Sequence, residues 1–113
     1  MTTATITLSP EKMREHAGKA CALLKALGNE DRLMLLCQMA FEPLNVGQLE
    51  TRTGIHQPTL SQQLAVLRQE GIVATEKIGK YVYYRLVDPS TMRLMQTLWD
   101  IYCAPSEAKE QVN

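Results

Sequence analysis

The stretch His56–Val87, "HQPTLSQQLAVLRQEGIVATEKIGKYVYYRLV", changes its periodicity halfway, and that change decides the fold. In the first half Leu60, Leu64 and Leu67 recur at helical spacing, with Pro58 at or near the first position and Gly71 after the end. In the second half the pattern alternates. Val82, Tyr84 and Leu86 fall on one face and Tyr81, Tyr83 and Arg85 on the other, with Gly79 at the turn of a hairpin. A helix runs straight into a β-hairpin.

Upstream, Asn45 caps a short helix, "VGQLETRT", which Gly54 closes. Helix, tight glycine turn, helix is the organisation of a helix-turn-helix, and the hairpin directly behind its second helix makes it winged. Further out, Ser9-Pro10-Glu11 starts a first helix that runs to about Leu27 and stops at Gly28 as a C′ residue. Asn29 caps a second, with Glu30 and Asp31 in its positive first turn and Pro43 ending it. Leu33, Leu36, Cys37 and Ala40 follow the i, i+3, i+4, i+7 rule, while Met34, Leu35 and Met39 fill other faces, so this helix is expected at the centre of the fold. Asp88-Pro89 starts a last helix to about Cys103, whose Met92, Met95, Leu98, Trp99 and Tyr102 form a wide apolar surface. The expected fold is mainly α with a small β-hairpin: four helices, hairpin, helix, a dimeric winged helix-turn-helix. A single domain spans residues 1–113, with its core over about 10–103, flexible termini and a polar tail "APSEAKEQVN".

Lys and Arg together number 12, as do Asp and Glu, so global charge selects no partner. Locally, residues 43–87 carry a net +2 and residues 88–113 a net −2, which puts any anionic partner at the middle of the chain. No run approaches the length of a membrane span, and the N-terminus lacks a basic region followed by an apolar core, so no export signal is expected. Three cysteines without a C-x-x-C pair argue against a secreted disulfide scaffold and for a reducing cytoplasm.

The polar residues of the fourth helix gather at its N-terminal end: Gln57, Thr59, Ser61, Gln62 and Gln63. That end of a recognition helix points into the major groove, where Gln bonds adenine bidentately and Ser or Thr serves bases or phosphates. Lys77 and Lys80 flank the wing tip and are expected against backbone phosphates, positioning rather than specifying. One copy makes few phosphate contacts. Two copies double them and match a palindromic operator, and the apolar surfaces of the first and last helices are the expected homodimer interface.

The runs "LLKALGNEDRLMLLCQM", "LSQQLAVLRQEGIV" and "YVYYRLVDP", in that order, resemble the ArsR/SmtB family of dimeric winged-helix repressors over roughly residues 17–103. In that family the recognition helix usually begins S-Q-S-x-x-S-H/Q-x-L. Here it reads His56-Gln57-Pro58-Thr59-Leu60-Ser61-Gln62-Gln63-Leu64, so the resemblance places Gln57, Ser61 and Gln62 at DNA-contact positions. Pro58 stands in place of a hydroxyl residue and has no N–H.

Members of the family release DNA when an inducer binds, most often a metal. The C-x-C site at the start of the third helix is absent, the chain reading Asn45-Val46-Gly47-Gln48-Leu49. The last helix has no histidine and only Asp88 and Asp100, so zinc at these sites is disfavoured and no metal or cofactor is expected. Cys37 in "LLCQM" and Cys103 in "LWDIYCAP" instead resemble the BigR/SqrR-like regulators, which sense sulfide-derived persulfides. The resemblance implies that Cys37 and Cys103 are the redox-sensing pair, joined by a disulfide or polysulfide bridge on reaction with reactive sulfur species. Read from the residues alone, Cys37 is a small hydrophobe in a buried helix, and Cys21 continues the packing stripe of Ala17 and Leu24. Cys103 sits near a helix C-terminus and Asp100, both of which oppose a thiolate. Alternatives left open are a peroxide sensor, a soft-metalloid sensor holding arsenite through Cys21, Cys37 and Cys103, and a winged helix that senses nothing. A thiol enzyme is disfavoured, because the chain has no C-x-x-C and no histidine placed as a general base.

Overall fold

The computed structural model describes residues 8–103, and eight elements follow one another within them. They are α1 (Pro10–Leu27), α2 (Glu30–Met39), β1 (Leu44–Asn45), α3 (Val46–Thr53), α4 (Thr59–Gln69), β2 (Val73–Ile78), β3 (Tyr81–Leu86) and α5 (Pro89–Tyr102). The expected tail "APSEAKEQVN" lies outside the described residues.

The helix starts are chemical. Ser9 Oγ accepts the Lys12 N–H at 3.2 Å, Asn29 Oδ1 the Arg32 N–H at 3.0 Å, and an Asp88 carboxylate oxygen the Thr91 N–H at 3.0 Å. At α3 the cap is reciprocal: Asn45 Oδ1 accepts the Gln48 N–H, and Gln48 Oε1 accepts the Asn45 N–H, both at 2.9 Å.

One helix boundary differs from the sequence reading, and two others fall where expected with a different cap geometry. Helix α2 stops at Met39 with Ala40 as its cap, ahead of Pro43. Pro58, expected at or near the first position of α4, is its cap residue and makes no side-chain cap bond. Gly28 closes α1 without a left-handed backbone, at φ −80°. Its glycine serves close approach instead, because a Cβ there would lie 3.0 Å from the Leu24 carbonyl oxygen. Gly54, at φ 74°, does take the left-handed conformation that the α3–α4 turn requires.

The sheet holds one strand more than the hairpin expected. β1 pairs antiparallel with β3, Leu44 opposite Tyr84 and Asn45 opposite Tyr83, giving the order β1-β3-β2. A two-residue strand is too short to show a period, so the sequence carried no signal for it.

The core lies where α2, α3, α4 and the sheet meet. Leu35 and Leu36 from α2, Leu44 from β1, Leu49 from α3, and Leu60, Leu64 and Leu67 from α4 are buried there. Helix α2 is central, as its composition implies, but Leu35, Leu36 and Met39 are its buried stripe; Leu33 and Cys37 pack against the edge. Tyr84 and Leu86 face the core from β3, while Val82, expected beside them, is exposed because it lies beyond the helices in the wing. Helix α1 buries only Ala26 and Leu27. Cys21 is therefore exposed, not packed as the stripe with Ala17 and Leu24 suggested. Among the described residues, no helix is long and apolar enough to cross a membrane.

Candidate DNA interface and dithiol site

Two groups of side chains carry chemistry, one on α4 and the wing, the other between α2 and α5.

The α4 group starts in the turn behind Gly54. Gln57 is exposed, and its Oε1 accepts the Ser61 N–H at 3.0 Å, so Gln57 supplies the helix cap that Pro58 lacks. His56 beside it places Nδ1 2.7 Å from Glu50 Oε2, tying this turn to α3. Thr59 is half-buried; Ser61 and Gln62 are exposed on the first turn of α4 with no side-chain partner of their own. Gln63 differs. It is half-buried, and its Oε1 accepts a hydrogen bond from Arg32 Nη1 at 2.7 Å. Lys77 and Lys80 stand exposed on either side of Gly79 at the wing tip, with Lys80 Nζ 5.5 Å from the centre of the Tyr81 ring. Ile78, 56% exposed, and Tyr81, 49% exposed, give the tip an apolar component that its charge pattern does not suggest.

The second group is a cavity of about 180 Å³ walled by Leu33, Cys37, Met95, Leu98, Trp99, Tyr102 and Cys103. Cys37 comes from the middle of α2 and is half-buried; Cys103 caps α5, donating its N–H to the Trp99 carbonyl at 2.8 Å. Both thiols thus line one apolar space although 66 residues separate them in the chain. Burial pushes the Cys37 thiol up, and its neighbour Cys103 raises it further. Among the described residues, no charged side chain lines this cavity, so nothing in its wall favours a thiolate.

Cys21 lines a different groove, between α1 and α4, with Arg32 and Glu70. It does not join the other two thiols, and three sulfurs are not gathered within one chain. Among the described residues, no group of three or more His, Cys, Asp or Glu side chains is placed to hold a metal ion.

Arg32 is the site residue that sequence reasoning missed. Its Nε donates to the Ala26 carbonyl at 2.6 Å and its Nη2 to the Lys25 carbonyl at 3.0 Å, in addition to the bond to Gln63. A signal existed: a cation in the first turn of a helix opposes the macrodipole, and so suggests a partner elsewhere.

The model of the family described as "Bacterial regulatory protein, arsR family" matches residues 29–75, from the cap of α2 into β2. The biofilm growth-associated repressor of Agrobacterium fabrum is 46% identical over 95 residues, 84% of this chain and 81% of that one. Among solved structures, the transcriptional repressor BigR from Xylella fastidiosa superposes with a TM-score of 0.77 at 43% identity, covering 86% of this chain and 99% of its own. Reduced HlyU from Vibrio cholerae superposes with a TM-score of 0.79 at 38% identity, covering 83% and 99%. These relatives regulate transcription, HlyU as a named activator, and the thiol-enzyme reading is set aside on that account.

Proposed function

This chain belongs to the ArsR family of bacterial regulatory proteins, and from that premise we propose that it represses transcription as a homodimer on palindromic operator DNA, released when Cys37 and Cys103 are oxidised to a bridge by reactive sulfur species. The observation that carries the reading is the shared cavity: two thiols from distant segments line the same apolar wall. Reduced HlyU, similar in fold, is a relative for which a redox state is stated.

The chemistry balances with a persulfide, RSSH, as oxidant. One thiol takes the outer sulfur and releases RSH; the second displaces hydrogen sulfide from the resulting Cys–S–SH and leaves a disulfide. Two electrons pass from the dithiol to the persulfide. A second equivalent of RSSH, which adds a sulfur to Cys–S–SH and releases RSH before the other thiol displaces hydrogen sulfide, gives a bridge one sulfur longer. A bridge joins α2 to the end of α5. With α5 in the dimer interface, that link turns the two α4 helices relative to one another and breaks the match to half-site spacing.

DNA contact falls to Gln57, Thr59, Ser61 and Gln62 at the start of α4, with Lys77 and Lys80 of the wing on phosphates. Dimerisation is supported by the uncovered apolar residues of α1 and α5: Met13, Leu24, Ile101 and Tyr102 are exposed on the single chain.

The test is a titration of operator DNA, selected from a random pool with reduced protein, before and after treatment with an organic persulfide. A fall in affinity, restored by reductant, with a Cys37–Cys103 cross-link that excludes Cys21, supports the reading. Unchanged affinity, or release that survives Cys37→Ser and Cys103→Ser, overturns the sulfur mechanism. If the reduced dimer binds no DNA, operator repression falls as well.

A further inference from the structure

We infer that Arg32 and Gln63 form a positioning pair that fixes α4 against the α1–α2 corner, so that Gln63 governs DNA affinity through Arg32 rather than by reading a base. The inference rests on the reading that α4 enters the major groove, and it carries no assumption about sulfur.

A glutamine that reads adenine uses both ends of its amide, the oxygen accepting from N6 and the nitrogen donating to N7. In Gln63 the oxygen is already occupied by Arg32 Nη1 at 2.7 Å, with both residues part-buried. That bond commits one lone pair of the oxygen and turns the half-buried amide toward the α1–α2 corner, which disfavours bidentate reading of a base edge. Ser61 and Gln62, immediately before it, are exposed.

The other two bonds of Arg32 explain why the guanidinium stays where it is. The carbonyls of Lys25 and Ala26 are among the last four of α1. Lys25 meets only a long 3.3 Å bond from the Gly28 N–H, which is shared with Leu24, and Arg32 supplies the Ala26 carbonyl with its donor. A cation at that helix end also complements its negative pole. A planar fork with three acceptors is held in direction as well as in position. Through it, the end of α1, the first turn of α2 and the first half of α4 are tied at one point. The angle of α4 then follows the α1–α2 corner, and Gln63 is the hook on the α4 side.

The experiment compares reduced wild-type protein with Gln63→Ala, Gln63→Glu, Arg32→Lys and the double variant Arg32→Lys/Gln63→Ala, titrated against selected operator and against a library varied at each position. Gln62→Ala is the control. The Gln63 variants leave the α1 carbonyls capped, so they avoid the folding risk of removing Arg32, and circular dichroism checks each. Gln63→Ala is expected to lower affinity about three- to tenfold with an unchanged base preference at every position, as removal of one charge-assisted bond would do. Gln63→Glu keeps an acceptor for Arg32 and is expected to bind within about threefold of wild type. The double variant should be no worse than the weaker single one.

A base preference that changes at one position in Gln63→Ala, a decrease larger in Gln63→Glu than in Gln63→Ala, or additive decreases in the double variant would each overturn the inference. These outcomes are separable from failure of the underlying reading, which shows as no operator binding by wild-type protein.

Discussion

The rings of Phe41 and Trp99 meet edge to face, with centroids 4.8 Å apart and planes at 72°. Phe41 lies two residues beyond the end of α2, and Trp99 is a wall of the dithiol cavity on α5. The contact therefore pins the helix that carries Cys103 to the chain leaving the helix that carries Cys37. Although Phe41 is 69% exposed, its truncation removes a directed contact at the cavity rim. Phe41→Ala is expected to destabilise the protein by about 0.5–1.5 kcal/mol in urea unfolding. It should also speed alkylation of Cys37 by letting α5 swing away. An unchanged unfolding midpoint would show that the ring pair contributes nothing.

Stability should also depend on pH through Cys37. Its proton is held more tightly in the fold than in the unfolded chain, first by burial and then by Cys103. The folded pKa is raised, so the contribution is fully present below the ordinary thiol value of about 8.5 and is lost as pH climbs through the folded value. Wild-type protein should thus lose stability more steeply above about pH 8.5 than Cys37→Ala does. Other groups titrate in that range in both proteins, so the difference between the two curves is the quantity to read. Parallel curves would remove Cys37 from the balance.

On DNA, the wing lysines and the α4 amides should separate cleanly. Lys77→Gln and Lys80→Gln are each expected to weaken binding to all sequences alike and to reduce the slope of log K against log salt by about 0.9 for each phosphate that is no longer neutralised. Gln62→Ala should leave that slope alone and relax the preference at one base position, which a library varied position by position would reveal.

The uncovered helices make a prediction about assembly. Leu24 on α1 is 59% exposed and Tyr102 on α5 is 73% exposed. Leu24→Glu and Tyr102→Glu place a charge on the proposed interface, where desolvation without a partner is costly. Each should yield monomer in sedimentation equilibrium, keep the helical spectrum, and reduce operator affinity by more than tenfold, roughly the effect of vacating one of two half-sites. A variant that stays dimeric would move the interface elsewhere.

Much of this was legible from the chain. Caps at Ser9, Asn29, Asn45 and Asp88 and the left-handed turn at Gly54 are local chemistry, so they could be read residue by residue. The alternation from Tyr81 to Leu86 identified β3 because strand period is equally local. What escaped depends on distance. The role of Arg32 is set by carbonyls six and seven residues back and by an amide 31 residues on. Cys21 looked like packing because its helix has an apolar stripe, yet a stripe does not say whether the same chain covers it. Cys37 and Cys103 were paired through family resemblance, and no rule of spacing would have joined them. Their common cavity needs α5 folded back over α2.

Asn45 ends β1 and caps α3 at once, so a single residue is riveted to the inner strand of the wing and to the first helix of the helix-turn-helix. Wing and α3 therefore have no independent joint at that seam. On the proposed mechanism, a signal from the thiols would move the wing together with α3 rather than fold the wing away by itself. Such a tilt would take the proposed wing and α4 contacts off register together, so the expected release from DNA is concerted at each half-site.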